Sequence, residues 1–251
     1  MFSGKSSNPA LKGFETSTVQ TGFGNMSMSG TASGMMTVQG TVNKTALLLM
    51  LLFLSGSIGW SFPQYAMPMM MFSGIVSLGI AIGLAFKPEY ASIGAPIYAI
   101  VQGVTMGAIT VIFETIYPGI AFQAMGITLG VLAMMLFLYT SRIIKVTQKL
   151  RMGIFAATGG IFIFYMGSLF MSFLGFQNPA FGNGMMGIAF SLFVVGIAAL
   201  NLVIDFAFIE EASNAGAPQH MEWYGAFVLM VTLVWLYIEI LNLLAKLQSR
   251  D

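Results

Sequence analysis

Apolar residues along the chain gather into seven long runs, at 45–62, 66–86, 95–116, 120–140, 153–174, 185–208 and 224–245. A hydrocarbon core of about 30 Å is crossed by about 20 helical residues, and each run is close to that length. Helices are the expected conformation, because in lipid the backbone N–H and C=O groups must find partners within their own segment. The connections carry turn residues, as in "FPQYAMP", "FKPEYASIGAP", "YPG" and "LGFQNPAFGNG", and all are short. Sequential helices should therefore be antiparallel neighbours. The pattern predicts an all-α polytopic membrane protein, with a seven-transmembrane-helix bundle over residues 41–251. Residues 1–40, as in "ETSTVQTGFGNMSMSGTASGMM", have no helical apolar period and are rich in Gly, Ser, Thr and Met. They are expected to form a flexible polar N-terminal tail. The first apolar run begins only after Lys44, so a cleavable leader is not expected.

Composition sharpens the class. Hydrophobic residues make up 57% of the 251 and charged residues 8%, with a mean hydropathy of +0.85. A soluble domain carries about 25% charged residues. A net charge of +1 gives no reason to expect nucleic acid as a partner. Without cysteine there are no disulfides, iron–sulfur clusters or thiolate zinc sites, and the 21 Met read as adaptable packing. Three pairs, Gly79/Gly83, Gly103/Gly107 and Gly126/Gly130, have the small-xxx-small spacing of close helix contacts.

Basic residues set the expected topology. With the N-terminus cytoplasmic, Lys5, Lys12, Lys44, Lys87, Arg142, Lys145, Lys149 and Arg151 fall inside, while 63–65, 117–119 and 175–184 hold no Lys or Arg. Seven full crossings place Lys246 and Arg250 outside; a re-entrant seventh segment would put all ten basic residues inside. Charge alone leaves both arrangements open.

Three acids lie within apolar segments: Glu114, Asp205 and Glu239. A charged Asp at a helix centre costs about 2.5–3.5 kcal/mol on insertion scales, so such a group faces protein or water, finds a partner, or keeps its proton. Glu114 precedes Tyr117-Pro118 closely and reads as an interfacial, structural residue. Asn201 stands one turn before Asp205 and Asn242 three residues after Glu239, so each acid has an amide on its own helix face. The two acids are 34 residues apart and symmetric about a midpoint at 222, so paired helices would bring them to one depth. Two carboxylates that close titrate as a unit and respond to pH. Deprotonated, they offer hard oxygen ligands for Ca²⁺, too few for storage but suited to transient passage. The bland reading is a structural hydrogen-bonded pair that fastens two helices.

Other chemistry is absent from the pattern. His220 is the lone histidine, in "GAPQHMEWY", and makes no zinc site. No Ser-His-Asp order, HExxH, phosphate-binding or dinucleotide motif occurs, so no enzyme and no resident cofactor is expected. Arg142–Arg151 reads as a topology determinant, and Glu210, Glu211 and Glu222 as a solvated acidic face.

Two stretches, "NLVIDFAFIEEA" and "EWYGAFVLMVTLVWLYIEILNLLAKL", resemble the last two membrane segments of the Bax inhibitor-1/YccA family. "NKTALLLMLLFLSGSIGW", "PIYAIVQGVTMGAI" and "YTSRIIKVTQKLR" are similar to its bacterial members, and the likeness covers about residues 35–248. The resemblance implies six helices around a central seventh, in a bacterial plasma (inner) membrane. It further implies a pH-sensitive calcium leak controlled by two acids, here Asp205 and Glu239. The second family acid is commonly Asp, so Glu239 lengthens that arm by one methylene. Some relatives latch the sixth-segment acid to a basic residue after the second helix, matched here by Lys87; many have Glu where this chain has Gln102. The expected function is a passive Ca²⁺ (cation) leak whose partners are the lipid bilayer and Ca²⁺ or protons. The alternative is a non-transporting regulator that binds other membrane proteins, such as a membrane protease.

Overall fold

The first helix starts from a polar cap rather than from the apolar run. Thr37, in extended conformation, accepts the Gly40 N–H on its hydroxyl at 2.9 Å, and the helix runs from Val38 to Ser61. This is seen in a computed structural model, which describes residues 34–175, 182 and 184–249. The predicted tail therefore lies largely outside the described residues, and its last residues, Val38–Gly40, are already helical.

Among the described residues, seven helices long and apolar enough to span a membrane follow one another: α1 (Val38–Ser61), α2 (Ala66–Phe86), α3 (Ala91–Ile116), α4 (Ile120–Thr140), α5 (Gln148–Phe173), α6 (Met185–Asn214) and α7 (His220–Gln248). Short 3₁₀ turns at Pro63–Tyr65 and Pro88–Tyr90 make the first two reversals. The ends of α1, α5, α6 and α7 run past the apolar segments by several polar residues. Capping explains part of this: Thr147, like Thr37, accepts a first-turn N–H, that of Leu150 at 3.2 Å. Uninterrupted over 29 residues, α7 has the length for a full crossing rather than a re-entrant turn.

Helix α7 is central. It packs on α1, α3, α4 and α6 and meets Tyr165 of α5 through a hydrogen bond. Its buried face joins two apolar clusters: Leu202, Val203, Leu236 and Leu241 on the α6 side, and Leu48, Tyr98, Phe227 and Met230 on the α1/α3 side. Tyr98 meets Phe227 edge-on, with centroids 5.0 Å apart. Helix α2 packs on α3 instead, and α5 touches the bundle mainly through α6. Both carry exposed apolar residues, such as Phe72, Ile75, Phe155 and Ile163, which suit a lipid environment.

The seam between α1 and α3 is backbone against backbone. A methyl group at Gly107 would overlap the Gly56 carbonyl, and one at Gly103 would overlap the Leu52 carbonyl and the Ser55 hydroxyl. Of the three small-xxx-small pairs in the sequence, only Gly103/Gly107 makes such a contact. Gly79, Gly83, Gly126 and Gly130 have no neighbour within 4 Å of the position a Cβ would take.

At one end of the bundle the acidic residues are ion-paired, with Glu210 and Glu211 still solvent-accessible and Glu222 buried. Glu210 pairs with Arg142 at 2.8 Å and accepts from the Tyr139 hydroxyl; Glu211 pairs with Arg151 at 2.6 Å. These pairs bind the α4–α5 connection to the end of α6. Glu222 is buried, ion-paired with Lys44, and accepts from the Thr37 N–H and hydroxyl, both at 2.8 Å. A Cβ at position 40 would overlap the Glu222 carboxylate and force that side chain to shift from its Lys44 and Thr37 partners. Beside it, Met36 N–H donates to Ala217 C=O at 2.7 Å and Gln219 N–H to Gly34 C=O at 2.9 Å. Segment 34–37 is thus clipped to the α6–α7 connection. Replacing Glu222 by Ala removes the acceptor of three hydrogen-bonding groups, and a loss of about 1–3 kcal/mol follows. Thermal denaturation in lipid nanodiscs checks this, with Glu222→Gln expected to fall between wild type and Glu222→Ala.

Candidate ion site

The helix-centre acids occupy separate environments. Asp205 of α6 is 7% exposed. The Thr232 hydroxyl of α7 lies beside it, and that hydroxyl donates its proton to the Val228 carbonyl at 3.3 Å. The other carboxylate oxygen, Oδ2, is fully buried without a partner among the described residues. Few buried polar atoms are left so, because an unsatisfied one costs about 1–3 kcal/mol.

Glu239 is 3% exposed but well partnered. Its Oε1 accepts from the Tyr165 hydroxyl at 2.8 Å and from Trp235 Nε1 at 3.1 Å, one turn earlier on α7. Lys246 lies within electrostatic reach of it. The Lys246 ammonium donates to Ser191 Oγ at 2.9 Å and Gly187 C=O at 3.2 Å, tying the end of α7 to the start of α6. Substituting Phe for Tyr165 deletes one hydrogen bond to a buried carboxylate, which costs about 1.5–3 kcal/mol if the carboxylate is charged and about half that if it carries a proton. Comparing the Tyr165→Phe melting shift in wild-type and Glu239→Gln backgrounds separates the two cases.

The expectation of one depth for the two acids is corrected by the helix limits. Helix α6 continues to Asn214 and α7 already starts at His220. The connection is therefore centred near residue 217, whereas 222 is only the mean of the two acids' own positions. Asp205 consequently faces Thr232, and Glu239 stands seven residues further along α7, about 10 Å of helix axis. No hydrogen bond joins the two carboxylates among the described residues.

The predicted helpers are elsewhere too. Asn201 donates to Thr158 Oγ1 and to its own Ile197 carbonyl, both at 2.9 Å, rather than to Asp205. Asn242 is half-buried and makes no hydrogen bond to Glu239 among the described residues. Gln102 is buried in α3, without a hydrogen bond to either acid. Lys87 is exposed at the end of α2, its ammonium 5.7 Å from the Tyr90 ring centroid, and it pairs with no acid among the described residues. The latch is not formed in this conformation. Glu114 is structural in the way its position suggested: its two oxygens accept the N–H groups of Gly119 (2.7 Å) and Ala121 (3.0 Å) at the start of α4.

Sequence reasoning missed Thr232, Tyr165, Trp235 and Lys246. Trp235 was legible, one turn before Glu239 on the same face; Tyr165 and Thr232 lie on other helices from the acids they serve, where only three-dimensional packing reveals them. No group of three or more His, Cys, Asp or Glu side chains is gathered to hold a metal ion among the described residues.

Buried acids on the two packed last helices of a seven-helix membrane bundle define a class: polytopic proteins with titratable groups held inside the membrane. Within it, the chain belongs to the Bax inhibitor 1 like family, whose family model matches residues 6–249. No curated protein matches the chain.

Proposed function

We propose that the protein is a passive, pH-responsive cation leak, with Ca²⁺ as its cargo, in the plasma membrane of a bacterium and with its N-terminus cytoplasmic. It acts without catalysis and without a resident cofactor. The single observation that supports this most is the orphaned Oδ2 of Asp205, a buried oxygen aimed at no protein partner among the described residues. A protonated Asp205 is a neutral plug between α6 and α7. Once the proton leaves, the carboxylate presents a hard anionic oxygen, attractive to a divalent cation and costly to leave bare. Glu239 supplies a second carboxylate on α7, seven residues and about 10 Å of helix axis beyond Thr232, so a cation passes between two weak sites in turn. Two separated single carboxylates favour release over retention.

The sign of the pH effect follows. Deprotonation creates the attraction, so flux rises as pH rises through the titration of Asp205. Calcium-loaded vesicles containing the full chain test this: efflux should increase with pH in wild type, and Asp205→Asn should hold it low at every pH.

A second reading, a regulator that binds other membrane proteins, draws support from the clip between segment 34–37 and the α6–α7 connection. A partner grasping the preceding residues would pull on the helix ends beyond Asp205. Deleting residues 1–33 separates the readings: a leak retains its Ca²⁺ efflux, whereas a tail-dependent regulator loses its partner.

A further inference from the structure

A cleft of about 440 Å³, whose lining does not include Asp205 or Glu239, is walled by α1 and α4 and floored by α3 and α7. Its volume is within the range of about 300–1,000 Å³ usual for small-molecule sites. Along α1 it is lined from Leu49 to Trp60, a rise of about 16 Å, roughly half of a 30 Å hydrocarbon core. The cleft thus spans one leaflet and suits a single hydrocarbon chain. Its lining is almost wholly apolar. Deep inside, the Thr110 and Tyr237 hydroxyls are hydrogen-bonded to each other at 3.0 Å, and neither needs a further partner.

The end of the cleft is different. Among the described residues, Glu114 is the only charged one in the lining, at the end where Trp60 and Phe122 also stand. Each of its oxygens accepts one backbone N–H. A carboxylate has about four lone-pair sites, so two remain for a ligand. The connections at this end, 63–65 and 117–119, hold no Lys or Arg. A phosphate or sulfate head would meet a like charge there with no basic side chain to offset it, while a cation would meet a carboxylate that pairs with no Lys or Arg among the described residues.

We propose that this cleft binds a single-chain cationic amphiphile, with its hydrocarbon chain between α1 and α4 and its ammonium head on Glu114. Such a site is distinct from the acids of α6 and α7, and a long-chain amine reaching the outer leaflet would enter it sideways from the lipid.

The test uses the full chain in phosphatidylcholine nanodiscs, titrated with dodecylammonium, dodecyl sulfate or dodecyl maltoside. A ligand that binds only the folded state raises the melting midpoint saturably. The expected result is such a rise with the ammonium compound alone. Leu129→Trp fills the cleft from an exposed wall position and should abolish the rise. Glu114→Gln, which still accepts one N–H, should weaken binding by about tenfold, the value of a charge-assisted contact. Equal shifts from the sulfate or the maltoside, a shift that survives Leu129→Trp, an affinity unchanged in Glu114→Gln, or no shift with the ammonium compound would each overturn the proposal.

Discussion

Gly107→Val is expected to be among the most damaging single substitutions in the bundle. The position of its Cβ is already taken by the Gly56 carbonyl, a backbone atom that cannot swing aside as a side chain can. Helix α1 must move bodily, opening its shared cluster of Leu48, Leu52, Tyr98 and Ala99 with α3 and α7. Overpacking costs about 1–3 kcal/mol and occasionally more; backbone overlap places this site at the upper end, about 3 kcal/mol. Gly79→Ala and Gly126→Ala have open space at the same atom, and in a helix Gly→Ala gains about 0.5–1 kcal/mol. Melting curves of the three variants in nanodiscs check the contrast. A Gly107→Val protein that melts with Gly79→Ala would show that the α1–α3 seam does not hold the fold together.

The second large effect is on transport. Asp205→Asn keeps the shape of the side chain but removes its negative charge, so the buried oxygen facing Thr232 can no longer become an anion. At the high-pH plateau efflux should fall at least about tenfold, corresponding to 1.4 kcal/mol of lost attraction, and its pH dependence should vanish. Glu239→Gln should behave differently. Glutamine still accepts from Tyr165 and Trp235 through its carbonyl oxygen, so the packing of α5 on α7 survives. Because the two acids share no hydrogen bond among the described residues and Glu239 stands about 10 Å of helix axis beyond Thr232, the residue beside Asp205, each variant should alter its own step. Glu239→Gln lowers the flux yet leaves the slope of the pH response in place. A pair titrating as one unit would instead lose that slope in either variant.

Much of this architecture is legible in the residue pattern, because lipid leaves a chain few options. The seven apolar runs predict the seven helices, and Asp205 and Glu239 stand out as the acids set deepest in the apolar runs. The helix limits were less legible. Val38–Lys44, Gln148–Met152 and Ile209–Asn214 are too polar for an apolar count yet are helical, held by caps and by ion pairs such as Glu210–Arg142. Those limits did not make the two acids look level. The apolar runs ending at 208 and starting at 224 already centre the turn near 216, and 222 is only the mean of the two acids' own positions. Spacing also could not tell Gly103/Gly107 from Gly126/Gly130, since which glycines face a neighbour depends on helix rotation. Nor could it show that Glu222 sits buried against the cap of α1, 185 residues away from Thr37 in the chain.

The most direct measurement of the central claim is Ca²⁺ efflux from vesicles across pH, for wild type and Asp205→Asn side by side. The account predicts wild-type efflux that climbs with pH to a plateau, and a low, flat profile for the variant. Efflux from Asp205→Asn that follows the wild-type curve in size and slope would contradict it.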